Sequence, residues 1–89
     1  VLNLLQKKSS HMGIIPILKA RDVLHLLLRL GFRIVTQKGS HIKLRHIADA
    51  TRQVTIPFHN KDLGRGMLFS ILKQAKISLV ELLLLLGKK

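Results

Sequence analysis

FRIVTQKGSHIKLRHIADATRQVTIP, Phe32 to Pro57, is the stretch that decides the fold, because along it apolar residues recur at every second position. In FRIVTQ, Phe32, Ile34 and Thr36 are expected to share one face. In HIKLR, Ile42 and Leu44 point one way and His41, Lys43 and Arg45 the other. In QVTIP, Val54 and Ile56 alternate with Gln53 and Thr55. Three short antiparallel strands follow from this pattern. KGS supplies a tight hairpin connection, and Ile47 to Arg52 supplies a longer turn in which Asp49 can bond backbone amides. Pro57 closes the third strand because it has no N–H to donate to a ladder.

On either side the period changes from two to that of a helix. Upstream, Ala20, Val23, Leu24, Leu27 and Leu28 are spaced by three and four, which predicts a helix from about Lys19 to Leu30. Gly31 ends it, since glycine just past a helix can take a positive φ. Downstream, Met67, Leu68, Ile71, Leu72 and Ala75 form a second helical stripe, with Lys73 and Lys76 outside it. Ser78 followed by Glu81 has the spacing of a capping box and places a short last helix at about Leu79 to Leu86. The fold class is therefore α+β: a three-stranded antiparallel sheet in an α-β-β-β-α order, two helices on one face and a short C-terminal helix. If Ile42 and Leu44 face the helices, His41, Lys43 and Arg45 are displayed on the open face. His41 stands at a strand boundary, where a turn or bulge would redirect it.

Composition restricts what such a fold does. The chain has 89 residues, 16 Lys or Arg against 4 Asp or Glu, and a formal charge of +12. So short a chain is a single domain with a modest core, which excludes a deep two-lobed cleft. The charge calls for an anionic partner, nucleic acid first, with an acidic protein or a membrane surface as the other classes. Hydrophobic content of 47%, with the charges dispersed among it, excludes a disordered basic tail. The absence of cysteine excludes disulfides and thiolate metal sites. No HExxH helix, paired-aspartate site or phosphate-cradling GxxxxGK[ST] loop is present, so neither a metal nor a nucleotide cofactor is expected. Leu79 to Leu86 would span only about 12 Å as a helix, far short of a bilayer, and a cytoplasmic protein without membrane contact is expected. Residues 1–11, which contain SSH before Met12, read as a leader or cloning remnant, and residues 12–89 as the domain.

Four pieces in order carry a resemblance: Gly31-Phe32, the QKGSH of Gln37 to His41, Pro57-Phe58-His59, and Gly66 followed by Leu68, Ile71, Leu72, Gln74 and Ala75. From Lys19 to about Glu81 the chain resembles the HicA toxin family, also described as YcfA-like messenger RNA interferases. That resemblance implies a double-stranded-RNA-binding-domain-like fold, endoribonuclease activity on messenger RNA, and inhibition by a HicB-type antitoxin protein. It also implies that the histidine of the GSH motif, His41, is catalytic, and it marks His59 as a motif position. Two departures stand out: Ile42 occupies a place often held by a second histidine, and the turn from Ile47 to Arg52 is long.

The chemistry has its own logic. RNA carries its nucleophile, the 2′-hydroxyl, so cleavage needs a base to take that proton and cations to stabilise the phosphorane-like transition state. Imidazole titrates near neutrality, which suits His41 to the first task. Lys38, Lys43 and Arg45 are the nearest candidates for phosphate contacts. Gly39 permits a turn that brings backbone amides toward a phosphate, and Ser40 can orient the imidazole or donate to the same phosphate. His59 can serve as the acid for the 5′-oxygen, bind phosphate or fix its turn.

On the residues alone, a histidine in a basic strand is more often a surface or phosphate-contacting group than a catalyst; the motif pattern is what favours His41. His25 is expected on the polar side of its helix, His46 as an extension of the basic surface, and His11 in the leader. A non-catalytic double-stranded-RNA-binding module is the alternative function. It explains the charge and element order but not GSH and PFH together. A basic adaptor for an acidic protein is a third reading, compatible with the nuclease because an antitoxin is itself a protein partner.

Overall fold

The computed structural model describes residues 15–87, so the expected leader, residues 1–11, and His11 lie outside the described residues. The elements run α1 (Ala20–Arg29), β1 (Phe32–Lys38), β2 (His41–His46), β3 (Gln53–Pro57), α2 (Arg65–Ala75) and α3 (Leu79–Leu86). The expected α-β-β-β-α order with a terminal helix is thus the observed one, and the sheet order is β1-β2-β3, all antiparallel.

The helices begin and end where local chemistry satisfies their free backbone groups. Lys19 precedes α1, and its N–H donates to the Asp22 carboxylate at 2.8 Å. At the other end Gly31 takes φ +101°, and a Cβ there would meet His46 Nε2 at 3.1 Å, so both conformation and space require glycine. Ser78 Oγ accepts the Glu81 N–H at 3.1 Å while Glu81 Oε1 accepts the Ser78 N–H at 3.3 Å, the reciprocal capping box expected for α3.

One face of the sheet makes the core. Ile42 and Leu44 of β2 and Val54 and Ile56 of β3 are buried against Ala20, Val23, Leu26 and Leu27 of α1 and Leu68, Ile71, Leu72 and Ala75 of α2. Leu26, absent from the expected stripe of α1, is buried, whereas Leu24 and Leu28 are only half-buried. Gln74 of α2 covers the outer edge of β3: its Oε1 accepts the Thr55 N–H at 3.0 Å.

β1 departs from strict alternation. It pairs Phe32 with His46 and Ile34 with Leu44, then slips so that Thr36 lies opposite Lys43 and Gln37 opposite Ile42. Val35 is the extra residue of a β-bulge. The slip reverses the parity of everything after it, so Thr36 belongs with Lys43 on the open face, correcting the expectation that it shares a face with Phe32 and Ile34. Of the strand only Phe32 is buried.

His46 corrects a second expectation. It does not extend the basic surface; it lies on the helix side opposite Phe32, edge-on to that ring with centroids 5.0 Å apart. Its Nε2 is 2.9 Å from the Leu30 carbonyl and its Nδ1 accepts the Ala48 N–H at 3.0 Å. Both bonds are made by the neutral ring with its proton on Nε2. The long turn is anchored from the other side as well: the Arg52 Nε–H donates to the Ala75 carbonyl at 2.8 Å, and its guanidinium lies 5.1 Å from the Phe32 ring centre. Lys76, in the left-handed region at φ 58°, donates from Nζ to Thr51 Oγ1 at 2.9 Å. Thr51 and Arg52 of this turn thus clamp the C-terminal end of α2 to the sheet.

Candidate active site and nucleic-acid interface

The hairpin between β1 and β2 is two residues long, and Gly39 takes φ +55° while Ser40 does not take a positive φ, the pattern of a type II′ turn with glycine first. A Cβ on Gly39 would meet nothing within 4 Å, so glycine is required there by conformation alone. The turn sets Lys38 directly across from His41, and β3 sets Pro57 on the other side of His41. His41 is therefore a paired residue of the central strand, and the bulge falls at Val35, away from it.

Three rows cross the open face: Lys38, His41 and Pro57; Thr36, Lys43 and Thr55; Arg33, Arg45 and Gln53. His41, Lys43 and Arg45 occupy alternate positions of β2 and all are exposed. At about 3.3 Å per residue, His41 and Arg45 stand roughly 13 Å apart along the strand, with Lys43 between them. Arg33 and Arg45, like charges directly opposite each other, destabilise the pairing. Arg33 is drawn back over its own strand, donating from Nη1 to the carbonyls of Leu28 at 3.2 Å and Phe32 at 2.6 Å. Among the described residues, the side chains of Lys38, His41, Lys43 and Arg45 make no hydrogen bond or ion pair within the protein. They remain available to an external anion.

Ser40 is brought beside His41 by the turn, but no hydrogen bond joins its hydroxyl to the imidazole among the described residues. Its carbonyl instead accepts the Phe58 N–H, which ties the PFH segment to the GSH turn. His59, one residue on, is exposed, and its Nδ1 accepts the Lys61 N–H at 3.2 Å. The neutral His59 ring then carries its proton on Nε2. The rest of the loop is pinned to the start of α1: Lys19 Nζ donates to the Asn60 carbonyl at 3.0 Å, and the Leu63 N–H donates to the Leu18 carbonyl at 2.7 Å. The two motif histidines are thus connected through backbone, and the fold adds Lys19 as a tether that the sequence did not single out.

Ile42 is only 3% exposed and lies on the helix side of the sheet, between Gln37 and Ile56. Its departure from the motif is a core substitution and does not alter the open face directly. Lys73 and Lys76 lie on the helix layer, so they do not continue the row of cations along β2. His25 is exposed on α1, as expected.

Among the described residues, no group of three His, Asp or Glu side chains lies close enough to hold a metal ion, and no helix is long and apolar enough to cross a membrane. No curated protein sequence matches the chain. A family model does: that of the HicA toxin of bacterial toxin-antitoxin systems matches residues 20–77, about two thirds of the chain, from the first residue of α1 to just past α2.

Proposed function

The chain belongs to the HicA toxin family of bacterial toxin-antitoxin systems, and from that premise we propose that it is an endoribonuclease that cleaves messenger RNA in the cytoplasm with His41 as the base. The observation that carries the reading is the placement of His41: exposed on the central strand of an open basic face, without a side-chain partner among the described residues, between the GSH turn and Lys43. A toxin of this kind acts beside an antitoxin, for which a HicB-type protein covering the basic face is the partner proposed here.

The reaction needs no group beyond the RNA and the side chains. His41 takes the 2′-hydroxyl proton, the 2′-oxygen attacks the adjacent phosphorus, and the P–O5′ bond breaks. The 5′-oxygen leaves with a proton from solvent or from His59, and a 2′,3′-cyclic phosphate remains. Lys38 and Lys43 flank the position of the phosphate and stabilise the charge that builds on its oxygens. The Gly39 and Ser40 turn brings backbone close to the same place. No essential metal enters this scheme.

The experiment compares wild type and His41→Ala, each separated from antitoxin, in single-turnover cleavage of RNA with excess EDTA. Wild type should cleave in EDTA and leave cyclic phosphate ends, and folded His41→Ala should bind RNA without cleaving it. Strong cleavage by His41→Ala rejects the base; complete dependence on metal, or 3′-hydroxyl ends, rejects the mechanism.

The element order is also that of duplex-RNA-binding modules, which favours a second reading, a non-catalytic RNA binder. On that reading wild type binds RNA and never cleaves it.

A further inference from the structure

The open face does not end with its cations. Beyond Lys43, at the end of the strand pair, Arg33, Ile34, Val35, Arg45, His46, Ile47 and Ala50 line a shallow depression of about 430 Å³, inside the roughly 300–1,000 Å³ range of small-ligand sites. Its walls are unusual for a surface with a formal charge of +12: Val35 is 42% exposed and Ile47 69%. Val35 is the bulge residue, and the same slip that moved Thr36 to the open face placed Val35 beside Arg45. Bulges at sheet edges re-aim side chains in this way.

We propose that this depression is a subsite for one unpaired nucleobase of the RNA strand whose backbone passes His41. The inference rests on the ribonuclease reading and adds to it a place where base identity or stacking is felt. Charge supports a nucleic-acid occupant, since the depression continues the line of His41, Lys43 and Arg45 along one strand. Chemistry supports a base in particular. Single-stranded RNA is held by stacking its bases on aromatic rings or guanidinium planes, yet this chain has no Trp or Tyr and only three Phe. Phe32 is buried, Phe69 lies on α2, and Phe58 lies beyond the end of β3. His41 and Phe58 lie at the GSH-turn end, and at the opposite end of the face the planar group among the described residues that shares the depression with Val35 and Ile47 is the Arg45 guanidinium. Because Arg33 is bonded back to the end of α1, Arg45 is the cation left to lie over a base.

The test uses 2′-O-methyl RNA, which lacks the nucleophile and is not cut by this route, with one abasic ribose walked along the strand. Wild type should lose affinity about fivefold or more at one abasic position, the low end of single-base stacking effects, with smaller losses elsewhere. In Val35→Ser/Ile47→Ser, both exposed positions and folded by circular dichroism, the intact strand should bind with that same loss and the abasic penalty at that position should disappear. Binding by wild type with no position-specific penalty would overturn the subsite and leave the RNA reading standing. A penalty that persists in the double variant places the base elsewhere and overturns it too. Unchanged RNA affinity with weakened antitoxin binding would assign the depression to the protein partner. Failure of wild type to bind any of the strands would remove the RNA reading, and the subsite with it.

Discussion

His41 and His46 stand at opposite ends and on opposite faces of β2, and replacing each by alanine should have opposite consequences. His46→Ala removes the bond to the Leu30 carbonyl at 2.9 Å, the bond from the Ala48 N–H at 3.0 Å and the edge-on contact with Phe32 at 5.0 Å. Each hydrogen bond contributes about 0.5–1.5 kcal/mol net, and the ring pair adds about 0.5–1.5 kcal/mol. The loss is therefore about 3 kcal/mol, a large part of the total for a small domain, and lowers Tm by roughly 12–24 °C. His41 is exposed and makes no bond within the described protein, so His41→Ala should change stability by less than about 0.5 kcal/mol. Equilibrium urea unfolding of both variants beside wild type, with the cleavage assay run well below each midpoint, separates the roles. His46→Ala should cleave RNA at low temperature while unfolding early, and His41→Ala should unfold with wild type and not cleave. A His46→Ala protein within about 0.5 kcal/mol of wild type would refute the anchoring of His46 to the Leu30 carbonyl and to Phe32. A His41→Ala protein destabilised by more than about 1 kcal/mol would refute the placement of that side chain outside the core.

Replacing Lys43 and Arg45 with Gln should weaken RNA binding and make the slope of log affinity against log salt shallower by roughly 1.4, about 0.7 for each single-strand phosphate no longer neutralised; an unchanged slope would put the RNA on another surface, Lys73 and Lys76 being the nearest alternative. Gly31→Ala should cost about 2 kcal/mol, read as a lowered urea midpoint, because a side chain is disfavoured at φ +101° and its Cβ would press on His46 Nε2 at 3.1 Å. Hydrogen bonds from the Thr51 hydroxyl and N–H hold the Asp49 carboxyl below its usual 3.8, so its contribution is complete above that value and is lost as pH falls through the lowered one. The urea midpoint measured across that acid range should fall less steeply in Asp49→Asn than in wild type.

Most of the fold was legible because its signals are local. The period of two between Phe32 and Pro57, the stripes of α1 and α2, and the Ser78–Glu81 box each depend on neighbours a few residues apart. What was not legible depends on where distant segments meet. The bulge at Val35 leaves FRIVTQ reading as a regular alternation, since the slip is set by pairing with β2 and not by the composition of β1. His46 reads as one more basic-strand residue, and only the meeting of Leu30, Phe32 and Ala48 around it makes it structural. The motif residue Gln74 was legible as a motif position, while its work, covering the edge of β3 at Thr55, required the approach of α2.

The candidate site divides along the same line. Alternation alone put His41, Lys43 and Arg45 on one face, because in a two-period strand the burial of Ile42 and Leu44 leaves their neighbours no other direction. It said nothing of what would lie beside them, and that is where chemistry is decided. The slip at Val35 delivers an aliphatic side chain to the end of a basic row, and the Leu28 and Phe32 carbonyls draw off Arg33 so that Arg45 stands as the cation next to it. Similarly, Phe58 ties the loop of His59 to Ser40, and Lys19 holds that loop to the start of α1, so the loop of the second motif histidine is fixed by groups distant in sequence. A face made only of alternating cations would grip any polyanion through its phosphates. The departures from alternation give this one an asymmetric pattern: a histidine and lysines at one end, and an arginine with apolar walls at the other. A strand laid along this face as proposed would meet different groups at its two ends, and that asymmetry exists only because β1 breaks the rule by which its sequence is first read.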